Sequence, residues 1–137
     1  MTPYHRQVNY YETDQMGIVH HSNYIRYFEE ARIDYMSQIN CGVQMMEDMG
    51  LIIPNVDAYA KYISPLRFSD SFAVYVRAVK FTGVSMKFEY RAVRGDTLCA
   101  TGFTTHCFVN RDYKPISVKH SHPDIYEKIK NSVSHGF

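Results

Sequence analysis

The residues best placed to do chemistry lie in one stretch, Tyr11-Glu12-Thr13-Asp14-Gln15-Met16-Gly17-Ile18-Val19-His20-His21-Ser22-Asn23-Tyr24. Asp14 is followed by Gly17 and then by two apolar residues that draw the loop inward, and the two histidines lead at once into a helical pattern. A helix start presents unpaired backbone N–H groups and the positive end of the helix dipole. A carboxylate beside such donors suits chemistry at a carbonyl. The N–H groups hold a developing oxyanion, while the carboxylate attacks the carbon or activates a water. The same spacing has a plainer explanation, because an Asp ahead of a Gly often only caps its own loop as an Asx turn. His20 and His21 could also be read as a metal pair. Adjacent histidines are expected to point apart, however, and no third ligand stands nearby, so no metal is expected here. A loop histidine, or one imidazole near a bound molecule, fits better.

The element that must position this loop is the helix following it. Tyr24, Tyr27, Phe28, Ala31, Tyr35 and Ile39 fall at helical spacing and predict a helix over 24–39, with Ser22 or Asn23 as its cap and Gly42 as its stop. Ile25 and Met36 widen the apolar arc to about half the circumference, which predicts a helix covered on several sides. Arg32 projects inside that arc. A charge there needs a partner, and Glu29, three residues earlier, is the simplest one; contact with a neighbouring subunit or a ligand is the alternative.

Residues 3–10 read as a first strand. Past the helix the period changes to two: Phe72, Val74, Val76 and Ala78, then Met86, Phe88, Tyr90 and Ala92, then a long strand over 97–109, with turns at Thr82–Ser85 and Arg94–Asp96. An earlier strand near 51–63 is interrupted by Pro54 and Asn55, which marks a bulge or an edge. Arg111–Pro115 reads as a turn with a brief return strand over 116–118. A short closing helix over 124–133 follows Pro123, with His120-Ser121-His122 as a polar cap before it. The order predicts an α+β domain spanning 1–137, with a strongly twisted antiparallel sheet of five to six strands curled round one long helix. Such a sheet leaves an edge that a second copy can cover, which predicts a homodimer or homotetramer.

Composition excludes several classes. At 137 residues the chain has the length of about one domain. Fifteen Lys and Arg against fourteen Asp and Glu leave no basic excess for nucleic acid or an anionic membrane. No apolar run is long enough to span a bilayer, and the first residues, Met1–Arg6, lack the apolar core of a secretory signal. Cys41, Cys99 and Cys107 are odd in number and without metal spacing, which fits a reducing, cytoplasmic setting. Twelve Tyr, eight Phe and seven Met with no Trp make an adaptable core that also suits a flexible apolar ligand.

Asp14, Gly17, Val19, Tyr24 and Glu29-Glu30-Ala31-Arg32 together resemble the signature of hotdog-fold acyl-CoA thioesterases of the 4-hydroxybenzoyl-CoA thioesterase type, nearest to the Tol–Pal-cluster subgroup. Pro65, Phe68 and Asp70 are softer echoes. The resemblance implies that Asp14 is the catalytic carboxylate, as nucleophile or general base. It implies that His21 polarises the thioester carbonyl, through its main-chain N–H or its imidazole. Tyr24 would sit near the acyl pocket, and Gly17 and Val19 would shape the loop. A thioester carbonyl is electrophilic and its thiolate leaves without strong acid help, so neither a Ser-His-Asp set nor a cofactor is called for. The substrate implied is acyl-CoA or an acyl carrier protein thioester. The family often places basic residues at the meander turn for the nucleotide phosphates; here the candidates are Lys80 and Lys87, with Lys61 on the preceding strand.

Overall fold

A computed structural model describes residues 1–137. The elements run β1 (Tyr4–Gln7), a 3-10 turn (Tyr10–Glu12), α1 (Ser22–Gln38), α2 (Val43–Asp48), β2 (Asn55–Tyr62), β3 (Ser71–Phe81), β4 (Ser85–Arg94), β5 (Thr97–Cys107), α3 (Val118–Ser121) and α4 (Pro123–Ser132). The five strands form one antiparallel sheet in the order β1-β3-β4-β5-β2. This is the α+β hotdog arrangement, with α1 as its long helix.

The period-two residues of β4, Met86, Phe88, Tyr90 and Ala92, are all buried, and they meet Tyr27, Phe28, Ala31, Tyr35 and Met36 of α1 in one apolar core. Phe28 stacks on Tyr90 with ring centroids 4.6 Å apart. Gly102, opposite Tyr90 on β5, permits this approach, since a Cβ there would run into Phe28 and the Tyr59 carbonyl. Burying a ring of this size stabilises by about 1.5–3 kcal/mol, so this seam of aromatics largely fixes how α1 lies on the sheet. No helix is long and apolar enough to cross a membrane.

Several boundaries differ from the sequence reading. Helix α1 begins at Ser22, and neither Ser22 nor Asn23 caps it; His21 occupies that position in a helical conformation, with φ −54 and ψ −30. The helix stops at Asn40, whose φ of 60 breaks the turn, whereas Gly42 precedes α2 as its cap residue. The interruption at Pro54 and Asn55 is as expected: Ile52 bridges Val109 before Pro54, regular pairing of β2 starts at Asn55 with a register shift between Asn55 and Asp57, and β2 lies at an edge of the sheet. No return strand forms at 116–118: the chain makes a single bridge, Pro115 to Val109, and buried Val118 opens α3. His122 stands at the start of α4 without a side-chain capping bond.

Arg32 reaches farther than its neighbour on the helix. Its distance to Glu29 is 3.9 Å, while Nη1 donates to the Tyr90 hydroxyl at 3.2 Å. The Tyr90 and Thr104 hydroxyls are bonded at 2.6 Å, and Thr104 Oγ1 pairs with His106 Nε2 at 2.8 Å. The buried guanidinium is thus satisfied mainly by hydroxyls of the sheet, as burial of a charge requires.

Candidate active site

The loop between the 3-10 turn and α1 is closed by its own backbone. Thr13 bridges Val19, the Asp14 N–H donates to Ile18 O at 2.9 Å, and the Gly17 N–H donates to Asp14 O at 2.9 Å. Gly17 has φ +77, where a side chain would be strained, so its role is the turn itself. Val19 is buried, and its N–H donates to Leu66 O at 2.8 Å, which ties the loop to the segment after β2.

Asp14 is half-buried. Its Oδ1 accepts the Met16 N–H at 2.8 Å while Oδ2 has no partner in the chain. The Asx turn and the chemical reading are therefore compatible, one oxygen serving each. At the helix start most donors are consumed internally. The Ser22 N–H goes to His20 Nδ1 at 3.2 Å, Asn23 N–H to His20 O at 2.9 Å and Tyr24 N–H to His21 O at 3.3 Å. The expected set of free N–H groups thus narrows to that of His21, which donates to nothing in the chain. The cause is the helical conformation of His21, which closes the first turn with tight three-residue bonds. The rings of His20 and His21 lie 4.1 Å apart, tilted by 31°, so they do not point apart as expected. His20 is engaged with Ser22 Oγ at 2.8 Å.

Asp14, Val19, His21 and Tyr24 line one cavity of about 310 Å³, walled on its far side by Tyr62 and Ile63. Tyr24 is buried, and that burial raises its phenol above the ordinary tyrosine range. Its ring meets Tyr62 edge-on at 5.2 Å. Volume alone does not single out this cavity. A larger one of about 480 Å³ lies between Tyr4, Tyr35 and Arg77, but the carboxylate lining it, Asp34, is taken by Gln38 Nε2 at 2.7 Å. Gly17 does not line the Asp14 cavity.

None of the three predicted lysines lines it. Lys61 is exposed and neighbours Tyr62 in β2, so it points to the opposite face of the sheet. Lys80 pairs with Lys87 near the β3–β4 turn. Two arginines that sequence reasoning missed stand closer: Arg94, whose Nη1 donates to the carbonyl of the lining residue Pro65 at 2.5 Å, and Arg67, beside the Gly17 turn. The Arg67 Nη1 lies 4.0 Å from where a Cβ on Gly17 would be, and its guanidinium has no hydrogen bond or ion pair, whereas Arg94 is engaged by Pro65 O and Asp70. Fifty residues separate Arg67 from Gly17, and only the fold brings the two together.

Residues 8–129 match the model of the family described as the thioesterase-like superfamily. The chain belongs to that superfamily. A protein of Aquifex aeolicus is 41% identical over 106 residues, 77% of this thioesterase-family chain and 83% of its own length. The acyl-CoA thioesterase YbgC of Haemophilus influenzae is 28% identical over 89 residues, 64% of this chain and 65% of that one. The solved DHNA-CoA thioesterase of Staphylococcus aureus superposes with a TM-score of 0.91 at 28% identity, covering 95% of this chain and 89% of that one.

Proposed function

We propose that the chain hydrolyses acyl-CoA thioesters, with the thioester carbonyl seated between Asp14 and the His21 N–H. The observation that carries this reading is the pairing, in one apolar-walled cavity of a thioesterase-family chain, of a carboxylate oxygen and a backbone N–H that are both without partners. The N–H donates to the carbonyl oxygen and strengthens as charge develops there. Asp14 either adds to the carbonyl carbon or takes a proton from the attacking water. The C–S bond then breaks with its electrons on sulfur; on the first route water next hydrolyses the acyl–Asp14 anhydride and frees the carboxylate, while on the second the water oxygen is already in the acid. A thiol ionises near pH 8.5, so the thiolate departs without a strong general acid.

Relatives named for CoA thioesters make CoA the first leaving group to test. Arg67, unpaired beside the loop, is the free cation there for its phosphates. Thiol release measured across acyl-CoAs from acetyl to palmitoyl, with benzoyl and phenylacetyl, should show turnover with a preferred acyl group. The N-acetylcysteamine thioester of that acyl group, which lacks the phosphates, should show a higher KM. Silence across the CoA panel with turnover of an acyl carrier protein thioester would reassign the leaving group. Silence with both would leave a binding module.

The active unit we propose is a dimer joined along β2. This strand is one edge of the sheet, twice the length of β1 at the other, and nearly all of it is exposed, Val56 by 64% and Tyr62 by 53%. Uncovered edges of this kind invite pairing. A two-fold pairing would set the Tyr62 end of one copy beside the Asn55 end of the other. A second cavity of about 320 Å³, lined by Ile33, Met36 and Leu51, opens there and could take the continuing acyl chain. Sedimentation equilibrium should give twice the 16.0 kDa chain mass. Val56→Lys, harmless to a monomer that already exposes it, should halve that mass; a wild-type monomer would sink the idea.

A further inference from the structure

Glu12 carries more of the loop than its place in the sequence indicates. It is 4% exposed, and its carboxylate accepts Arg6 Nη1 at 2.5 Å and the Asn9 N–H at 2.8 Å. Its carbonyl oxygen also accepts twice, from the His20 N–H at 2.8 Å and from Asn23 Nδ2 at 2.9 Å. Glu12 therefore ties the start of the segment 13–20 to its end, with Asp14 two residues after Glu12 and His21 one residue after His20. Arg6 fastens this hub to the core: its Nε lies 2.7 Å from Glu30 Oε1 on α1, and its guanidinium lies 4.7 Å over the Tyr27 ring.

Burial alone would push the Glu12 carboxyl up, but the Arg6 and Asn9 bonds win and hold it below the ordinary range, so it is charged at neutral pH. The groups facing this cluster are Arg6, Glu30, Tyr27 and Tyr4, whose hydroxyl donates to Glu30 at 3.0 Å. A buried ion pair is weak evidence of a gain in stability, because desolvation offsets much of the attraction. What this arrangement does supply is a fixed distance between two points of the loop.

We propose that Glu12 is a positioning residue for the reaction, setting the separation between the Asp14 carboxylate and the His21 N–H through Arg6 and Asn23. This rests on the thioesterase reading above. Displacing a reacting group by about 1 Å can cost on the order of 100-fold in rate without altering substrate affinity.

The test uses Glu12→Gln, which still accepts the Asn9 N–H and leaves Arg6 paired with Glu30, and Asn23→Ala, which removes one tie to the Glu12 carbonyl. Both are assayed on the best acyl-CoA of the panel, alone and combined with Asp14→Asn. We expect kcat to fall about 10- to 100-fold with KM within about twofold, and the residual rate of Asp14→Asn to be lowered no further by either change. Wild-type kcat in a folded Glu12→Gln or Asn23→Ala protein overturns the proposal, as does a loss confined to KM or an equal loss in the Asp14→Asn background. Should Glu12→Gln fail to fold, Asn23→Ala decides alone. A wild-type protein silent on every thioester counts against the thioesterase reading itself and is distinct from these outcomes.

Discussion

Asp14→Asn protein is expected to fold as the wild type does and to lose acyl thioester turnover by about 10²–10⁴-fold, the range for removing a positioned acid–base group. The asparagine side-chain oxygen can still accept the Met16 N–H, as Oδ1 does now, so the Asx turn survives and Gly17 keeps its place. What disappears is the basic, nucleophilic oxygen facing the cavity. Stability should therefore change by no more than about 0.5 kcal/mol, and the loss should appear in kcat, with KM little changed. Asp14→Ala separates the two roles of the side chain. It also loses the turn bond, at about 1 kcal/mol, and should melt lower as well as fail to turn over. Thiol release and a urea titration on the three proteins read both effects. An Asn variant within a few-fold of wild type would show that Asp14 is only a loop cap.

The sequence was most informative where one element's own residues decide the outcome. The spacing from Tyr24 to Tyr35 and the alternation from Phe72 to Ala92 each encode a face, and the faces met as expected. The Asp14–Gly17 turn was equally legible, because its bonds lie within the loop. Legibility failed where a partner comes from far along the chain. Glu12 looks like an ordinary loop acid until Arg6 of β1 and Asn23 of α1 close on it. Arg67 is unremarkable beside Ser69 and Asp70 until the chain folds back to Gly17. Lys80 falls outside the Asp14 cavity, which the sequence could not show, because alternation gives the face of a strand but not which end of the sheet holds a cavity. Helix α2 escaped for another reason. The six residues of α2 are too few to show a period, so Gly42 read as the end of one helix when it caps the start of the next.

The second large effect concerns acid stability. His106 on β5 is 1% exposed, the only buried histidine of the seven, and its Nδ1 has no hydrogen-bond partner. Burial first, and then the positive charge of Arg32, push its imidazole down to about 4 from the ordinary 6.5. The folded chain thus carries this histidine neutral down to about pH 4, whereas the unfolded chain takes up a proton below about pH 6.5. Between those values the unfolded state binds more protons, so stability falls as pH falls. The contribution is complete above about pH 6.5 and gone below about pH 4. Its size, at 1.36 kcal/mol per pH unit, is about 3 kcal/mol. That is a sizeable share of the roughly 5–15 kcal/mol that holds a domain folded. Glu12, whose carboxyl is held low in the fold, adds a loss of the same sign at more acidic pH. Urea denaturation at pH 7.5, 5.5 and 4.5 should show this decline, and His106→Asn, which cannot take up a proton, should flatten it over that range. Replacing the imidazole also disturbs the Thr104–Tyr90–Arg32 chain of hydrogen bonds, so the variant should start lower at pH 7.5. It is the slope with pH, rather than the starting value, that reports the buried neutral histidine, and an unchanged slope would place the acid sensitivity elsewhere.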